Sequence, residues 1–354
     1  MKIFISIASY RDPLLTYTLT EAYNNAVHKD NLFFGVIEQA SPEEAIDTNS
    51  FTFNKQIRYV RIDPQQSRGC CWARSLAQTL YNGEDFFFQI DSHMGFDKGW
   101  DIWFINSMHE LMKYHKKPII TGYPQAITAL NDDITNPIVK QSNDDNSGMF
   151  VLVAERENAF IDSYYLGTKS HWIKTDDNLL HGYLLSANTL FTVGASIEEV
   201  PYDPFLFFSG EEHSLALRYW THGYNIFHGK KLPTYHYYGR DYRKLFWDPN
   251  EDSTRSQKWW ELDGRSKNRL KEIVTGNLKG IYGIGTERFL KDYMRLTGIK
   301  YDLGFCEPCA YDGSNIFSRN YRENLPHFKT SSGTAPPIPE RIRTPDIRKR
   351  LTND

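Results

Sequence analysis

The chain has 354 residues, enough for one large domain or two ordinary ones with a sizeable core. Its 41 Lys and Arg against 44 Asp and Glu leave a net charge of −3, which excludes a general electrostatic attraction for nucleic acid or anionic membranes. No run reaches the roughly 20 apolar residues of a membrane-spanning helix and no secretory signal is legible, so the expected compartment is the cytoplasm, with peripheral membrane association left open.

The aromatic share of 15% fits a dense core or stacking surfaces for sugars and bases, and composition does not choose. The cysteines are Cys70, Cys71, Cys306 and Cys309. The last two have the spacing of half a zinc site, but no second such pair completes it. Reduced, structural thiols are the expectation.

In chain order, an apolar strand at 2–8 ends in the turn Ser9-Tyr10-Arg11-Asp12-Pro13. There Asp12 can cap a helix whose first residue is Pro13. The patterning then predicts a helix at 14–25, strands at 32–38 and 57–62, and a helix at 68–80 entered through Gly69. A strand ending at Asp91 follows. A helix at 99–114 carries Trp100, Trp103, Phe104, Met108 and Leu111 at helical spacing, and a strand occupies 119–123. This alternation predicts a three-layer α/β domain with a mostly parallel sheet. The stretch 131–147 is polar and reads as a loop or mobile flap. Strands at 149–155 and 183–191 are expected to widen the sheet, with a loop at 169–177. A helix from Ser209 or Gly210 to Gly223 comes next, then last strands at 224–228 and 233–237. Helices are expected within 253–275 and 286–296. After Thr330 the chain turns proline-rich and basic, as in a tail that is disordered alone or orders on a partner.

Chemistry concentrates at three points. The run Phe86-Phe-Phe-Gln-Ile-Asp91-Ser92-His93 reads as a buried parallel strand ending in a carboxylate and an imidazole. Ligands bind at such strand ends in open α/β sheets, and this donor pair suits a divalent transition metal such as manganese. Asp91 capping a helix beside an ordinary loop histidine is the bland alternative. Glu211 and Glu212 open a helix, where they stabilise the dipole and can still face a cleft. His236 leaves a strand and is followed by Gly239, Arg240, Tyr242, Arg243 and Lys244. An imidazole to ligate and cations to hold phosphate oxygens are what a metal-bound diphosphate calls for; a solvated basic loop is the alternative.

In this order the pieces resemble glycosyltransferases of the GT-A type in which Asp-x-His replaces the more usual Asp-x-Asp. Two families share that variant. One is the mucin-type polypeptide N-acetylgalactosaminyltransferases. The closer one is the soluble peptidyl-hydroxyproline N-acetylglucosaminyltransferase family, which modifies a ubiquitin-ligase adaptor and has bacterial relatives. The likeness rests on Ile3-Phe-Ile-Ser-Ile-Ala-Ser-Tyr-Arg-Asp-Pro13, Gly69-Cys-Cys-Trp-Ala-Arg74, Gln89-Ile-Asp-Ser-His93, Phe208-Ser-Gly-Glu-Glu212 and Tyr219-Trp-Thr-His-Gly223. It covers about residues 2–260.

The resemblance implies a GT-A fold: a Rossmann-like, mostly parallel sheet flanked by helices, with a C-terminal helical extension. The catalytic domain would span 1–250, with a nucleotide-binding half to about 125 and an acceptor half beyond it. The extension would span 251–330 and the tail 331–354. Asp91, His93 and His236 would bind Mn2+ or another divalent cation bridging the diphosphate of a UDP-sugar. Ser9, Tyr10, Arg11, Asp12 and Ser92 would lie by the nucleotide. Arg68, Arg74, Arg240, Tyr242 and Arg243 would serve the diphosphate or sugar, and Glu211 and Glu212 the donor sugar or acceptor hydroxyl. The lectin domain of the mucin-type enzymes has no room here.

The expected reaction moves a HexNAc, GlcNAc by resemblance, from UDP to a hydroxyl. It passes through an oxocarbenium-like state while electrostatics stabilise the departing UDP. Inversion would require Glu211 or Glu212 as base. The resembled family retains configuration, which implies front-face attack with the UDP oxygen taking the acceptor proton. The acceptor would be hydroxyproline on a protein or a glycan hydroxyl, and the galacto epimer of the donor sugar remains open. A metal-dependent phosphodiesterase or nucleotide-sugar hydrolase, and a catalytically silent sugar-nucleotide-binding protein, are the alternatives.

Overall fold

The computed structural model of the chain describes residues 1–130, 133–140, 147–156, 159–162 and 164–314. The tail expected at 331–354 lies outside the described residues, as do 131–132 and 141–146 of the expected flap.

The first part alternates as expected: β1 (Ile3–Tyr10), α1 (Leu15–Asn25), β2 (Leu32–Gln39), β3 (Ile57–Ile62), α2 (Cys70–Gln78), β4 (Phe86–Ile90), β5 (Met94–Phe96), α3 (Trp100–Met112) and β6 (Pro118–Thr121). The middle holds β7 (Gln125–Leu130), β8 (Asp133–Lys140), β9 (Gly148–Ala154), β10 (Phe160–Asp162), β11 (Tyr165–Leu166), β12 (Thr168–Lys174), β13 (Leu179–Gly182), β14 (Thr189–Val193) and α4 (Ser196–Glu199). Then come α5 (Glu211–Thr221), β15 (Asn225–Gly229), β16 (Thr234–His236), α6 (Pro249–Ser253), α7 (Trp259–Val274), α8 (Leu290–Thr297), β17 (Ile299–Lys300), β18 (Phe305–Cys306) and α9 (Cys309–Asp312).

The central sheet has the order β13-β15-β6-β14-β4-β1-β2-β3. It is parallel from β4 through β3 and between β15 and β6, while β14 and the edge strand β13 run antiparallel. The period of two along each strand sends neighbouring residues to opposite faces. Ile3, Ile5, Ile7, Phe86, Phe88 and Ile90 pack with Leu15, Leu19, Trp100 and Phe104 on one side. Phe4 and Phe87 pack on the other with Leu215, Leu270 and Tyr293. Both faces are covered by helices, so these strands read as continuous apolar runs rather than alternating ones. The residues beyond 250 belong to the same core as Phe4, because Leu270, Ile273, Tyr293 and Tyr301 share that cluster.

Three expectations are corrected. The stretch 183–191 is not one strand: β13 ends at Gly182 and β14 begins at Thr189. Between them, Ser186 donates to the Asn188 side chain at 2.7 Å and its backbone N–H to Thr121, which turns the chain. The loop expected at 169–177 is mostly strand, since β12 pairs antiparallel with β9 along its length. That pairing keeps β9 out of the central sheet, which it was expected to widen. Tertiary pairing decides such mixed polar and apolar stretches, not local propensity. Third, part of the stretch expected as a loop or flap is strand: Asp133–Lys140 pairs with β7 as β8, in a second sheet of order β5-β16-β7-β8 that also takes the strand expected at 233–237.

This small sheet positions the site. The chain crosses from β4 to β5 through Asp91, Ser92 and His93. β16 pairs antiparallel with β5, with His236 opposite Met94, and the Tyr237 N–H donates to the His93 carbonyl at 3.0 Å. Two histidines 143 positions apart are thereby brought side by side, the ring centroids 4.6 Å apart.

Candidate active site

The carboxyl ends of β1 and β4 open into a cavity of about 450 Å³, walled on the far side by the start of α5 and by the loop after β16. Asp91, His93 and His236 meet there. The Asp91 carboxylate lies 3.1 Å from Nε2 of His236 and 3.8 Å from Nε2 of His93. One ligand atom from each lies within 4.8 Å of the others, the sole such cluster found among the described residues. Two imidazoles and a carboxylate make a borderline donor set for a divalent cation, and three protein ligands leave further positions for oxygens of a substrate.

The charge states suit that use. Burial pushes the Asp91 carboxyl up, but Arg74 and the two histidines outweigh it and hold it well below the usual range. Burial pulls the His236 imidazole below its ordinary value against the opposing hydrogen bond to Asp91, which favours the neutral ring that a cation would need. The Asp91 side chain keeps 24% exposure, enough to meet a ligand in the cleft.

Arg74 comes from α2, whose entry at Gly69 has φ +103°, a conformation that favours glycine. A Cβ there would also lie 2.5 Å from the Phe207 carbonyl, so the close approach of α2 to the segment before α5 needs the missing side chain. The buried guanidinium bridges two carboxylates, donating from Nη1 to Glu211 and from Nη2 to Asp91 at 2.5 Å. Glu211 is therefore an ion-pair partner. Glu212 accepts from the Ala187 N–H at 2.8 Å and from the Ser186 hydroxyl at 3.3 Å. Burial, with Glu211 beside it, pushes its carboxyl up to about 7 against the opposing Ala187 hydrogen bond.

The other residues singled out from the sequence divide. Tyr10, Ser92, Arg240 and Arg243 line the cavity with Asp91, His93, His236 and the two glutamates. Ser9 is buried and accepts at its carbonyl from Gln39 Nε2 at 3.0 Å. Arg11 pairs with Glu44 and Glu251, and Asp12 lies behind His93, accepting from its Nδ1 at 2.7 Å. Tyr242 donates to Asp12 at 3.2 Å. Arg68 is exposed, its guanidinium 5.9 Å from the Trp72 ring, and does not line the cavity.

Some cavity residues had no sequence signal. Gln39, Tyr123, Asn188, Tyr238 and Trp247 line it from turns and strand ends, where side-chain periodicity says nothing. Cys70 lines it too, and burial pushes its thiol up to about 12, which keeps it protonated. All four cysteines are free thiols.

A strand-end carboxylate, two histidines and an arginine-bridged glutamate share one α/β cleft, a donor set able to hold a cation. A family model described as Glycosyltransferase (GlcNAc) matches residues 2–52 and 43–281, and the chain belongs to this family. No curated protein matches it. Among solved structures, GalNAc-T7 with UDP, GalNAc and Mn2+ aligns over 92% of this chain at 12% identity and a TM-score of 0.57. This chain spans 59% of that one. S. aureus TarS 1-349 aligns over 76% of this chain and 71% of its own, at 12% identity and a TM-score of 0.43. The chain thus has the GT-A fold and belongs to a glycosyltransferase family. No helix among the described residues is long and apolar enough to cross a membrane.

Proposed function

We propose that the protein transfers GlcNAc from UDP-GlcNAc to a hydroxyl acceptor, a glycan or a hydroxyproline-type protein site, with retention of configuration and with a divalent cation such as Mn2+. The observation that carries this reading is the joining of the Asp91, His93 and His236 cluster to Glu211 through Arg74 in a single cleft. A cation held by these three residues would neutralise charge on the diphosphate leaving group. The Mn2+ and UDP of the GalNAc-T7 structure support the same pairing of metal and nucleotide here. The free thiols are consistent with a reducing cytoplasm.

The residues have distinct tasks in this reading. Arg243, with its side chain 18% exposed on the cavity wall, and Arg240 hold phosphate oxygens. Arg74 holds both Asp91 and Glu211 in place, so the donor meets a preorganised electrostatic wall. The bond from the anomeric carbon to the diphosphate oxygen breaks as the bond to the acceptor oxygen forms on the same face. The acceptor proton passes to the departing diphosphate. Glu211 is already committed to Arg74, which favours a positioning role over that of a nucleophile.

The test is UDP release from a panel of UDP-sugars with water as acceptor, with and without Mn2+. Slow, Mn2+-dependent hydrolysis of UDP-GlcNAc alone is expected. Release that ignores Mn2+ overturns the metal's part, and preference for another sugar overturns the donor assignment.

A further inference from the structure

Asp12 sits at the end of β1, where its sequence position implied a helix cap and a place beside the nucleotide. Its side chain does accept from the Leu14 N–H at the start of that helix, and it is also fully buried behind His93. The carboxylate accepts from His93 Nδ1 at 2.7 Å, the Ser92 hydroxyl at 2.7 Å, the Leu14 N–H at 3.0 Å, and the Tyr242 hydroxyl at 3.2 and 3.3 Å. Arg243 Nε lies 3.9 Å away. With a backbone N–H and two hydroxyls already converging on its two oxygens and Arg243 beside them, the carboxylate faces His93 as an acceptor.

That fixes the proton on His93. The nitrogen facing Asp12 must be an N–H, so the neutral ring carries its lone pair on Nε2, the atom turned towards Asp91. The other histidine lacks such a backing: His236 Nδ1 is buried with no hydrogen-bond partner. The same carboxylate also holds Tyr242, on the loop that bears Arg240 and Arg243. The Arg243 guanidinium lies 5.8 Å from the Tyr242 ring, so anchoring the tyrosine also places that cation.

We infer that Asp12 is a positioning residue with two linked tasks. It locks His93 in the tautomer that presents Nε2 to a cation, and through Tyr242 it latches the arginine-bearing loop over the same cation. A carboxylate behind a ligating histidine is the usual way such a ring is oriented. The added feature here is that the phosphate-binding loop hangs from the same two oxygens. The inference deepens the metal-dependent reading above and rests on it for its purpose. Its structural content exists in the metal-free protein and is tested there.

Nitrogen-15 histidine spectra of the metal-free full chain, at a pH where the rings are neutral, read the tautomer directly. A protonated Nδ1 and bare Nε2 on His93 are expected, and the reverse overturns the lock. Tyr242→Phe keeps the ring and removes one charge-assisted hydrogen bond. It should speed tryptic cleavage at Arg240, Arg243 and Lys244 about 10-fold by easing local opening, and an unchanged rate overturns the latch. Asp12→Asn keeps the shape but has one acceptor oxygen for four donors. With its fold verified by circular dichroism, it should bind Mn2+ at least about 10-fold more weakly by calorimetry in the presence of UDP, and wild-type affinity overturns the positioning role. Wild-type protein that binds no Mn2+ would sink the metal-dependent reading, while the tautomer and cleavage results still decide this one.

Discussion

Arg11 and Glu251, 240 positions apart, form an ion pair in which one guanidinium nitrogen donates to both carboxylate oxygens at 2.9 and 2.8 Å. The pair ties the turn after β1 to α6. Tyr10 reinforces it, donating to the same carboxylate at 2.9 Å, and the buried Arg255 stacks on Phe246 at 3.8 Å while bonding the Tyr10 hydroxyl. Tyr10 and Phe246 line the cavity, so this network closes one end of it. Arg11 holds φ +46° to make the contact, a strained backbone for a side-chain-bearing residue. Glu251→Ala is expected to lower stability by about 2 kcal/mol, seen as a lower denaturant midpoint with unchanged slope. UDP affinity, measured by calorimetry, should fall with it.

Arg74 carries a heavier burden, since the buried Glu211 and the partly exposed Asp91 both depend on one planar fork. Lysine offers one compact ammonium in place of that fork and cannot serve both partners at once. Arg74→Lys is expected to keep the fold by circular dichroism and to lose about 100-fold in initial rate of UDP release. Arg74→Met leaves both charges uncompensated and should cost about 3 kcal/mol of stability.

Glu212 gives a pH signature. Its folded carboxyl is raised from 4.5 to about 7, so the folded chain holds this proton more tightly than the unfolded one. The contribution to stability is fully present below pH 4.5 and is lost as pH rises through about 7. Relative to Glu212→Gln, wild-type protein should become progressively less stable across that interval, as read by thermal melts. Ionisation also adds negative charge to the cleft in which we propose that the diphosphate binds. The KM for UDP-sugar should therefore rise through pH 7 in wild type and stay flat in Glu212→Gln.

The parts of this fold written in the sequence are those where one periodicity governs a whole element. The runs at Ile3–Tyr10 and Phe86–Ile90 are buried on both faces, and the apolar residues of Trp100–Met112 recur at helical spacing, so each declares itself. The small sheet was half hidden: Thr234–His236 falls within the strand expected at 233–237, whereas Met94–Phe96 is three residues long and exists through its pairing with that distant strand. The acid–histidine motif was legible because its residues are contiguous at a strand end. The role of Asp12 was not, since a helix cap and a histidine-orienting carboxylate look the same until His93 is seen 2.7 Å away.

His236 separates the metal's part from that of the fold. The ring is buried on a three-residue strand, with Nε2 on Asp91 and its other face against Tyr238, 4.3 Å between ring centroids. Removing it leaves Asp91 paired with Arg74, so no carboxylate is stranded and the core strands are untouched. His236→Ala should therefore melt as a folded protein and still bind UDP weakly without Mn2+, because the arginines on the loop remain. Mn2+-dependent UDP release, however, should be lost, since two ligands no longer enclose the cation. Chelation of wild-type protein should reproduce that loss and added Mn2+ should reverse it, whereas added Mn2+ should not rescue the variant. Full Mn2+-dependent release by His236→Ala would place the cation elsewhere.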